Sequence, residues 1–535
     1  MEFNLADLFE DVVDHVGERE AVVAEKANER TRLTYAELDE RANRLAHHLA
    51  AQGIGPGDHV GCHLRNGNEY LETMLACFKI RAVPINVNYR YEEEELRYLY
   101  RDADLKASVV QEEYLPRVEA VKDDLELLDH LIVVDGSTAP KDGVAYEDAL
   151  AASDPGRGFG PRSADDIMMI YTGGTTGMPK GVMWRHEDIF VAGMMGGNPM
   201  GEPHKRPEDV AKMAAESGPL TMFAVAPLMH GAAQLAAFIA FWGGARVLLI
   251  QNFSGDGVLK LIEEEKANTL SIVGDAMALP IAEALEQGEY DTSSLLALGS
   301  AGAILSQSTR DRLTAQLPNL MITDAFGASE VGYTGSATED SSPDKGLKFQ
   351  PNDRTAVISD DMRIIEPGSD EIGRVAQRGH VPLGYYKDEK KTRETFVEVD
   401  GDRWVLLGDM ATIDEDGVIH FLGRGSVCIN SGGEKIYPEE VEAAIKAHDA
   451  VIDAVVAGIP DERWGQSVAA VLTVREGEKL TQEELHKHLQ GRIARYKLPR
   501  FTHIVDEIRR SPSGKCDYKW ARDTLTEASQ KAVDA

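Results

Sequence analysis

Residues 171–181 read Y-T-G-G-T-T-G-M-P-K-G and hold four glycines, three threonines, one proline and one lysine. Glycines let backbone N–H groups approach phosphate oxygens, threonine hydroxyls add donors without bulk, and Lys180 adds a positive charge. The apolar run I-M-M-I at residues 167–170 predicts a buried strand before this loop. The stretch therefore predicts a polyphosphate-binding loop that follows a strand.

A Walker A loop, G-x-x-x-x-G-K-[ST], is the first alternative for such a composition. Counted from Gly174, its second glycine falls on Pro179, and Gly181 stands where serine or threonine is required. The V-M-W that follows predicts a second strand, whereas a Walker loop leads into a helix. An unspecialised Gly/Thr turn is the other alternative, and the loop alone leaves it open.

The chain has 535 residues, which is too long for one hydrophobic core and predicts two or three domains. Its net charge of −34 is unevenly placed. Residues 425–535 carry 16 Lys/Arg and 18 Asp/Glu, which leaves 40 and 72 to residues 1–424, a net charge of −32 there. Such an acidic body argues against nucleic acid or an anionic membrane as a partner.

No charged-then-apolar segment opens the chain, so no secretory signal is expected. The longest apolar stretch, residues 232–250, is interrupted by polar residues and two glycines, and it predicts a buried helix, a turn and a strand rather than a membrane span. The four cysteines are scattered without metal-ligand spacing or a disulfide framework, which favours a cytoplasmic location. A homodimer is compatible with the sequence, which does not set the oligomeric state.

Helix and strand patterns alternate near the start of the chain. Thr34 and Glu37 form a T-x-x-E capping box that opens an amphipathic helix. Residues 60–64 predict a strand, residues 70–80 a helix and residues 83–88 an extended segment. This alternation predicts α/β layers around a largely parallel sheet.

The glycine-threonine loop resembles that of the adenylate-forming superfamily of acyl-CoA synthetases, luciferases and peptide-synthetase adenylation domains. The segment L-T-Y-A-E-L-D-E-R-A-N-R-L-A at residues 33–46 resembles the opening of the same superfamily, and further motifs follow in order to about residue 525. The resemblance implies an α/β fold: a large multi-layer N-terminal domain, with two α/β subdomains and a small β-barrel, and a small mobile α+β C-terminal domain. It places the domains at residues 1–424 and 425–535, with a hinge near 424–426.

By this resemblance, the loop closes over the β- and γ-phosphates of ATP. S-A-G-A at residues 300–303 and T-D-A-F-G-A-S-E at residues 323–330 resemble the segments that sandwich adenine, with phenylalanine where the family has tyrosine. The L-G-D at residues 407–409 resembles the family's T-G-D, whose aspartate holds the ribose. The implied ATP- and AMP-binding residues are Thr172, Gly173, Gly174, Thr175, Thr176, Gly177, Lys180, Gly302, Ala303, Asp324, Ala325, Phe326, Gly327, Ser329, Asp409, Arg424 and Lys515.

Glu330 resembles the family's magnesium-binding glutamate, and a hard cation that bridges phosphates makes pyrophosphate a good leaving group. Lys515 ends the S-P-S-G-K of residues 511–515 and matches the catalytic lysine. The implied catalytic residues are Lys515, Glu330 and Thr176, and the implied metal ligands are Glu330 and Thr176.

Residues 429–438, I-N-S-G-G-E-K-I-Y-P, resemble the loop that walls the pantetheine tunnel of CoA ligases. The resemblance implies that Ser431, Gly432, Gly433 and Glu434 contact CoA. P-L-M-H-G at residues 227–231 matches an element that borders the carboxylate pocket and implies His230 and Gly231 as pocket residues. Members that activate amino acids place an aspartate shortly after this histidine, and its absence here disfavours an amino-acid substrate.

The resemblance implies an AMP-forming acyl-CoA ligase that uses ATP, Mg²⁺ and CoA and activates a hydrophobic carboxylic acid. The sequences of residues 171–188 and 423–438 look most like those of bacterial fatty-acyl and steroid side-chain CoA ligases. Two alternatives stay open. One is a free-standing adenylating enzyme that loads an acyl carrier protein, and the other is a binding protein that kept the fold and lost the chemistry.

Overall fold

The computed structural model describes residues 1–27, 29–136, 143–172, 178–302, 305, 307–336, 348–431, 434–461, 464–475, 477–490, 492–510 and 516–534. Its helices are α1 (Leu5–Val16), α2 (Tyr35–Ala51), α3 (Asn68–Lys79), α4 (Glu93–Asp102), α5 (Leu115–Val121), α6 (Tyr146–Ala151), α7 (His186–Ala192), α8 (Glu208–Glu216), α9 (Gly231–Trp242), α10 (Gly255–Glu265), α11 (Gly274–Gln287), α12 (Gln307–Gln316), α13 (Glu389–Thr395), α14 (Pro438–Lys446), α15 (Gln482–Leu489) and α16 (Tyr518–Asp534).

The strands are β1 (Glu20–Lys26), β2 (Glu29–Thr34), β3 (His59–His63), β4 (Val83–Asn86), β5 (Leu105–Gln111), β6 (His130–Val134), β7 (Gly143–Ala145), β8 (Ile167–Thr172), β9 (Lys180–Arg185), β10 (Thr221–Ala224), β11 (Arg246–Ile250), β12 (Thr269–Ile272), β13 (Ala297–Ala301), β14 (Met321–Ala328), β15 (Gly332–Ser336), β16 (Lys348–Phe349), β17 (Thr355–Ile358), β18 (Ser369–Arg378), β19 (Gly384–Tyr385), β20 (Phe396–Val399), β21 (Asp402–Ile413), β22 (Ile419–Arg424), β23 (Ile429–Ser431), β24 (Glu434–Ile436), β25 (Val451–Asp461), β26 (Gly465–Val474) and β27 (Phe501–Ile504).

Two eight-stranded sheets form the large part of the molecule. Their strand orders are β15-β14-β13-β12-β10-β11-β1-β2 and β19-β9-β8-β4-β3-β5-β6-β7. The inner strands pair in parallel, and antiparallel strands close the ends at β2, β15 and the β8-β9-β19 side. The predicted α/β architecture with a largely parallel sheet is confirmed.

One hydrophobic cluster joins the two large sheets, because α1, α2, α3 and α9 share it with residues of β1 and β3. Within this cluster the ring of Phe241 lies 5.4 Å from that of Phe9 and 5.9 Å from that of Tyr35. The Tyr35 hydroxyl donates to the backbone oxygen of Ala245 at 2.7 Å. Burial of apolar area is the main stabilising term in folding, so this shared core holds the two sheets against each other.

A third, antiparallel sheet follows, in the order β16-β22-β21-β18-β17 with β20 paired to β21. The resemblance implies a small β-barrel here, and among the described residues the strand pairings run as one open path from β16 to β17. The last sheet, β24-β23-β26-β25 with β27, packs α14 and α15 against one hydrophobic cluster and α16 against another. The domain boundary that we propose, between residues 424 and 425, falls in the short segment that separates the third sheet from the last.

Along the described ranges of the chain, no helix is long and apolar enough to cross a membrane. The apolar stretch of residues 232–250 forms most of α9, a turn in which Gly244 has φ +63°, and β11. A helix, a glycine turn and a strand were predicted for this stretch, and that prediction is confirmed.

The carboxyl group of Glu442 is buried beneath the last sheet, on α14. One of its oxygens accepts from the backbone N–H of Val456 at 2.9 Å, and the Tyr518 hydroxyl donates to the other at 3.4 Å. Burial raises the pKa of Glu442 to about 8 from its ordinary value of 4.5, although the positive charge of Lys446 opposes the rise. The folded protein therefore holds a proton at neutral pH that the unfolded chain releases.

Because this folded-state pKa is raised, we expect the stability contributed by neutral Glu442 to be lost as pH rises from about 4.5 to about 8. Glu442→Gln keeps the hydrogen-bonding shape but has no titrating group. Between about pH 6 and pH 8 the free energy of unfolding of this variant should therefore fall by about 2 kcal/mol less than that of the wild type. Urea unfolding at several pH values measures this. Glu483→Gln is the control, because it makes the same change at an exposed glutamate on α15, which packs on the same sheet. Equal pH slopes for wild type and Glu442→Gln would contradict the prediction.

Candidate active site

The glycine-threonine loop connects two antiparallel strands. Thr172 at the end of β8 lies opposite Lys180 at the start of β9, and residues 173–177 lie outside the described residues. The prediction that the loop joins strand to strand is therefore confirmed. This hairpin sets the phosphate-binding candidate Lys180 beside the carboxyl end of β8.

Lys180 faces a segment from far along the chain. Its ammonium forms an ion pair with the carboxylate of Asp388, and it lies 5.8 Å from the centre of the Tyr385 ring. The hydrogen bond from Lys180 lowers the pKa of Asp388. The segment is held there because β19, which contains Tyr385, pairs with β9.

Glu330 lies in the turn between β14 and β15, and two contacts tie that turn to the hairpin. The Tyr385 hydroxyl donates to Oε1 of Glu330 at 2.8 Å. The indole N–H of the buried Trp184, on β9, donates to the backbone oxygen of Ser329 at 2.9 Å. These contacts connect Glu330, the candidate magnesium ligand in one large sheet, to the hairpin of the other sheet, which carries the candidate phosphate-binding residue Lys180.

Asn86, at the end of β4, joins the hairpin to the turn that carries His230. Its side-chain N–H groups donate to the backbone oxygens of Tyr171 and Met229, both at 2.8 Å, and its oxygen accepts from the N–H of Tyr171 at 2.7 Å. His230 is the N-cap residue of α9. At Gly231 a Cβ atom would stand only 3.1 Å from the Ile170 side chain, so α9 begins in close contact with β8.

The two segments predicted to hold adenine lie on the neighbouring parallel strands β13 and β14. Ser300 on β13 pairs with Asp324 on β14, and Ala301 pairs with Ala325. The carboxylate of Asp324 forms an ion pair with Arg310. Burial raises the pKa of Asp324, and Arg310 opposes that rise. Gly302, directly after β13, has φ +79°, a conformation that favours glycine.

Phe326 stacks on Phe349 with ring centres 5.0 Å apart and contacts Phe421 edge-on at 5.6 Å. Since Phe421 belongs to β22, this contact brings the third sheet to the adenine candidates. Within that sheet the buried Asp409 lies opposite Arg424 in the β21–β22 ladder. The two ribose candidates are thus adjacent in the backbone, and their role stays a prediction.

The last sheet carries two of the candidate CoA-binding residues, Ser431 and Glu434. Ser431 is buried, pairs with Gly465 and lies opposite Glu434 in the β23–β24 hairpin. Arg510 and Cys516 form an antiparallel bridge that flanks residues 511–515. The predicted residues that lie outside the described part of the chain are Gly173, Gly174, Thr175, Thr176, Gly177, Ala303, Gly432, Gly433 and Lys515.

Two families of known proteins match this chain. The family described as AMP-binding enzyme matches residues 9–386, and the family described as AMP-binding enzyme C-terminal domain matches residues 440–515. This chain belongs to the family of AMP-binding enzymes. The first match includes Lys180, Glu330 and Tyr385, and the second ends at Lys515.

Individual relatives of this AMP-binding enzyme match it from end to end. The 3-oxocholest-4-en-26-oate–CoA ligase of Rhodococcus rhodochrous is 47% identical over 98% of this chain and 96% of its own length. A medium/long-chain-fatty-acid–CoA/3-oxocholest-4-en-26-oate–CoA ligase of Mycolicibacterium smegmatis (strain ATCC 700084 / mc(2)155) is 45% identical, covering 100% of this chain and 98% of the relative. The solved structure of the anthranilate CoA ligase AuaEII in complex with anthranoyl-AMP shares the fold, with a TM-score of 0.83, 21% identity and 98% coverage of both chains.

Sequence reasoning missed three residues at the centre of this AMP-binding enzyme's candidate site. Asn86, Tyr385 and Asp388 connect its predicted parts, yet none of them lies in a motif that predicts a binding or catalytic role. The only local signal is the D-E-K-K of residues 388–391, which is typical of a helix N-cap, and Asp388 indeed caps α13. That signal predicts a helix start and says nothing of Lys180.

Within the described ranges, no group of three or more His, Cys, Asp or Glu side chains is arranged to hold a metal ion. Magnesium is commonly held through one or two protein carboxylates together with substrate phosphates. The carboxylate of Glu330 fits such a role in the AMP-binding enzyme, because it has the oxygen donors that Mg²⁺ prefers and lies beside the hairpin of Lys180. The other implied ligand, Thr176, lies outside the described residues.

Proposed function

We propose that this protein is an acid–thiol ligase, an AMP-forming acyl-CoA synthetase that activates a hydrophobic carboxylic acid in the presence of Mg²⁺. The observation that carries the proposal is the meeting of three distant segments in one place: the loop hairpin with Lys180, the turn with Glu330, and the start of α9 with His230. A polyphosphate, a divalent cation and a carboxylate are the groups that such a set can bind together.

In the first half-reaction a carboxylate oxygen of the acid attacks the α-phosphorus of ATP. The bond from that phosphorus to the bridging oxygen breaks, and pyrophosphate leaves with the bond's electrons. Lys180 binds the leaving phosphates, and Lys515 stabilises the charge that grows at the α-phosphate and the bridging oxygen. Glu330 and Thr176 would hold Mg²⁺, whose charge would offset the negative charge on the phosphates.

The nucleoside part of ATP lies between the two adenine segments, with Asp409 and Arg424 at the ribose. A carboxylate can accept hydrogen bonds from hydroxyl groups, which suits the buried Asp409 for the ribose hydroxyls. The ring of Phe326 supplies an aromatic surface beside the base. These roles follow from the resemblance, and the β21–β22 and β13–β14 pairings support them.

In the second half-reaction the CoA thiolate attacks the acyl carbonyl carbon, and AMP leaves. We propose that residues 425–535 rotate about the hinge near 424–426 between the two steps, so that Lys515 withdraws and the Gly432-Gly433 loop walls the pantetheine path. Ser431 and Glu434 flank that loop on paired strands. No covalent bond to the protein is required in either step.

The acid that we propose is a fatty acid or a steroid side-chain acid. Both relatives reported above are named for ligation of such acids to CoA. Helix α9, which follows His230, has the sequence G-A-A-Q-L-A-A-F-I-A-F-W and contains no acidic side chain to pair with an α-amine. A hydrophobic carboxylate without an amine therefore suits this helix better than an amino acid.

We also propose a cytoplasmic location, which the four free cysteines, two of them buried, support. The partners are small molecules: the acid, ATP and CoA. We also propose that the protein forms a homodimer, and sedimentation analysis of the purified protein tests this by measuring its oligomeric state.

Purified protein should form AMP and acyl-CoA from ATP, CoA and a hydrophobic acid, because both half-reactions have candidate residues. A release assay over short, medium, long and steroid carboxylates, run with and without CoA, identifies the preferred acid. The common amino acids serve as the control substrates. Acyl-adenylate without any thioester would favour loading of an acyl carrier protein instead, and greater activity on an amino acid would overturn the proposed substrate class.

A further inference from the structure

Residues 384–388 read G-Y-Y-K-D and lead from β19 into α13 beside the loop hairpin. Tyr385 pairs with Val182 of β9, and the backbone N–H of Tyr386 donates to the oxygen of Gly181 at 2.8 Å. The segment is therefore attached to the strand that begins with Lys180. None of the roles proposed above uses it.

The Tyr385 side chain contacts two of the proposed ligand-binding groups at once. Its hydroxyl donates to Glu330, and its ring lies beside the ammonium of Lys180. The residue is only 7% exposed. One side chain thus links the magnesium candidate to the phosphate candidate.

Asp388 uses its two carboxylate oxygens for different purposes. One oxygen accepts from the backbone N–H of Lys391 at 2.9 Å and caps α13, and the other pairs with Lys180. An oxygen anion on this ammonium makes the contact that a phosphate of ATP would make. The carboxylate and the phosphate therefore compete for Lys180.

We propose that Tyr385 and Asp388 are positioning residues for the nucleotide: Tyr385 orients the Glu330 carboxylate for Mg²⁺, and Asp388 holds the Lys180 ammonium until a phosphate of ATP replaces it. This inference rests on the proposed function, because it assumes that Lys180 and Glu330 meet the magnesium complex of ATP. Loss of a hydrogen bond to a ligating carboxylate typically lowers metal affinity about 10–100-fold. Loss of a partly exposed ion pair changes an equilibrium by a few-fold.

The test of Tyr385 is equilibrium binding of ATP by calorimetry, once in EDTA and once in saturating MgCl₂. The ratio of the two Kd values reports how much Mg²⁺ strengthens binding. Tyr385→Phe keeps the ring beside Lys180 and removes only the hydroxyl, so the ratio should fall about tenfold while the Kd in EDTA changes less than about twofold.

Tyr386→Phe is the matched control. Its hydroxyl makes an equivalent bond at 2.8 Å to a different carboxylate, that of Asp104. If the segment matters only for local stability, both variants should change the ratio alike. A change confined to Tyr385→Phe supports the proposal, and equal ratios for wild type and Tyr385→Phe overturn it.

Asp388→Asn tests the competition for Lys180. Asparagine caps helices about as well as aspartate, so α13 keeps its cap while the competing charge is removed. ATP in EDTA should then bind about two- to fivefold more tightly than to the wild type. Unchanged or weaker binding would overturn the role of Asp388.

Failure of the inference and failure of the proposed function are distinguishable. A wild-type protein that binds no ATP at all refutes both, because the nucleotide site itself is then absent. A wild-type protein that binds ATP and makes acyl-CoA, with variants that behave as wild type, refutes only the positioning roles of Tyr385 and Asp388.

Discussion

Lys515→Ala should slow formation of the acyl-adenylate by about 10²–10³-fold, because it removes a donor aimed at charge that develops only in the transition state. Binding of ATP and the melting temperature should change little, since the lysine is not expected to contact the ground state strongly. Conversion of pre-formed acyl-adenylate to acyl-CoA should survive, because by then the small domain has rotated and the lysine has withdrawn.

Pyrophosphate release measures the first half-reaction, and thioester formation from synthetic acyl-adenylate measures the second. The exposed Lys519→Ala, four residues away on α16, is the control for loss of a positive charge in the same region. Gly433→Leu should show the opposite pattern, blocking the pantetheine path and sparing the first half-reaction. If Lys515→Ala lost both half-reactions equally at an unchanged melting temperature, the rotation mechanism would be wrong.

The described neighbours of residues 511–515 explain why this effect should be local. Arg510 and Cys516 are bridged to each other, and Arg510 donates through Nε to the carboxylate of Asp453 on β25 at 3.1 Å. Both ends of the segment are thereby fixed to the last sheet. A change at Lys515 leaves these anchoring contacts in place.

Much of the fold could be predicted because its signals are local. The capping box of Thr34 and Glu37 is present with both hydrogen bonds, and it opens α2 as expected. The strand predicted at 60–64 is His59–His63, and the helix predicted at 70–80 is Asn68–Lys79. These boundaries shifted by a residue or two, because the first and last turns of an element depend on packing as well as on local preference.

Only part of the candidate site could be predicted from the sequence. Lys180, Glu330 and His230 were found through the resemblance, and the structure brings their segments together. The residues that connect them could not be found this way, because their importance arises from contacts between distant parts of the chain. Lys180 and Asp388 are 208 positions apart, and no periodicity or spacing relates them.

At position 326 this chain has phenylalanine where the family usually has tyrosine, and only the structure shows what surrounds the ring. The sequence shows that a hydroxyl is missing relative to the usual tyrosine, and it cannot show what surrounds the ring. In the fold the ring lies against Phe349 and Phe421, from β16 and β22. The partly buried ring therefore packs on two other phenylalanine rings, and these contacts need no hydroxyl group.

Lys79 belongs to a buried ionic cluster that holds α1, α2 and α3 together. Its ammonium, on a side chain only 1% exposed, lies 2.6 Å from the carboxylates of both Glu10 and Asp39. Lys79→Met would leave the buried Asp39 and the partly buried Glu10 without their shared cation, and removing one member of a buried ion pair typically costs about 3–5 kcal/mol.

Unfolding of the Lys79→Met protein should therefore occur at a clearly lower urea concentration than for the wild type, followed through tryptophan fluorescence, to which the buried Trp184, Trp242 and Trp404 contribute. The matched control is Lys260→Met, which breaks an exposed pair with Asp256 one helical turn away. That change should cost at most about 1 kcal/mol, because exposed pairs contribute little. Equal losses for the two variants would mean that Glu10 and Asp39 are stabilised sufficiently by their other partners, Arg162 and Arg157, and that the cluster does not depend on Lys79.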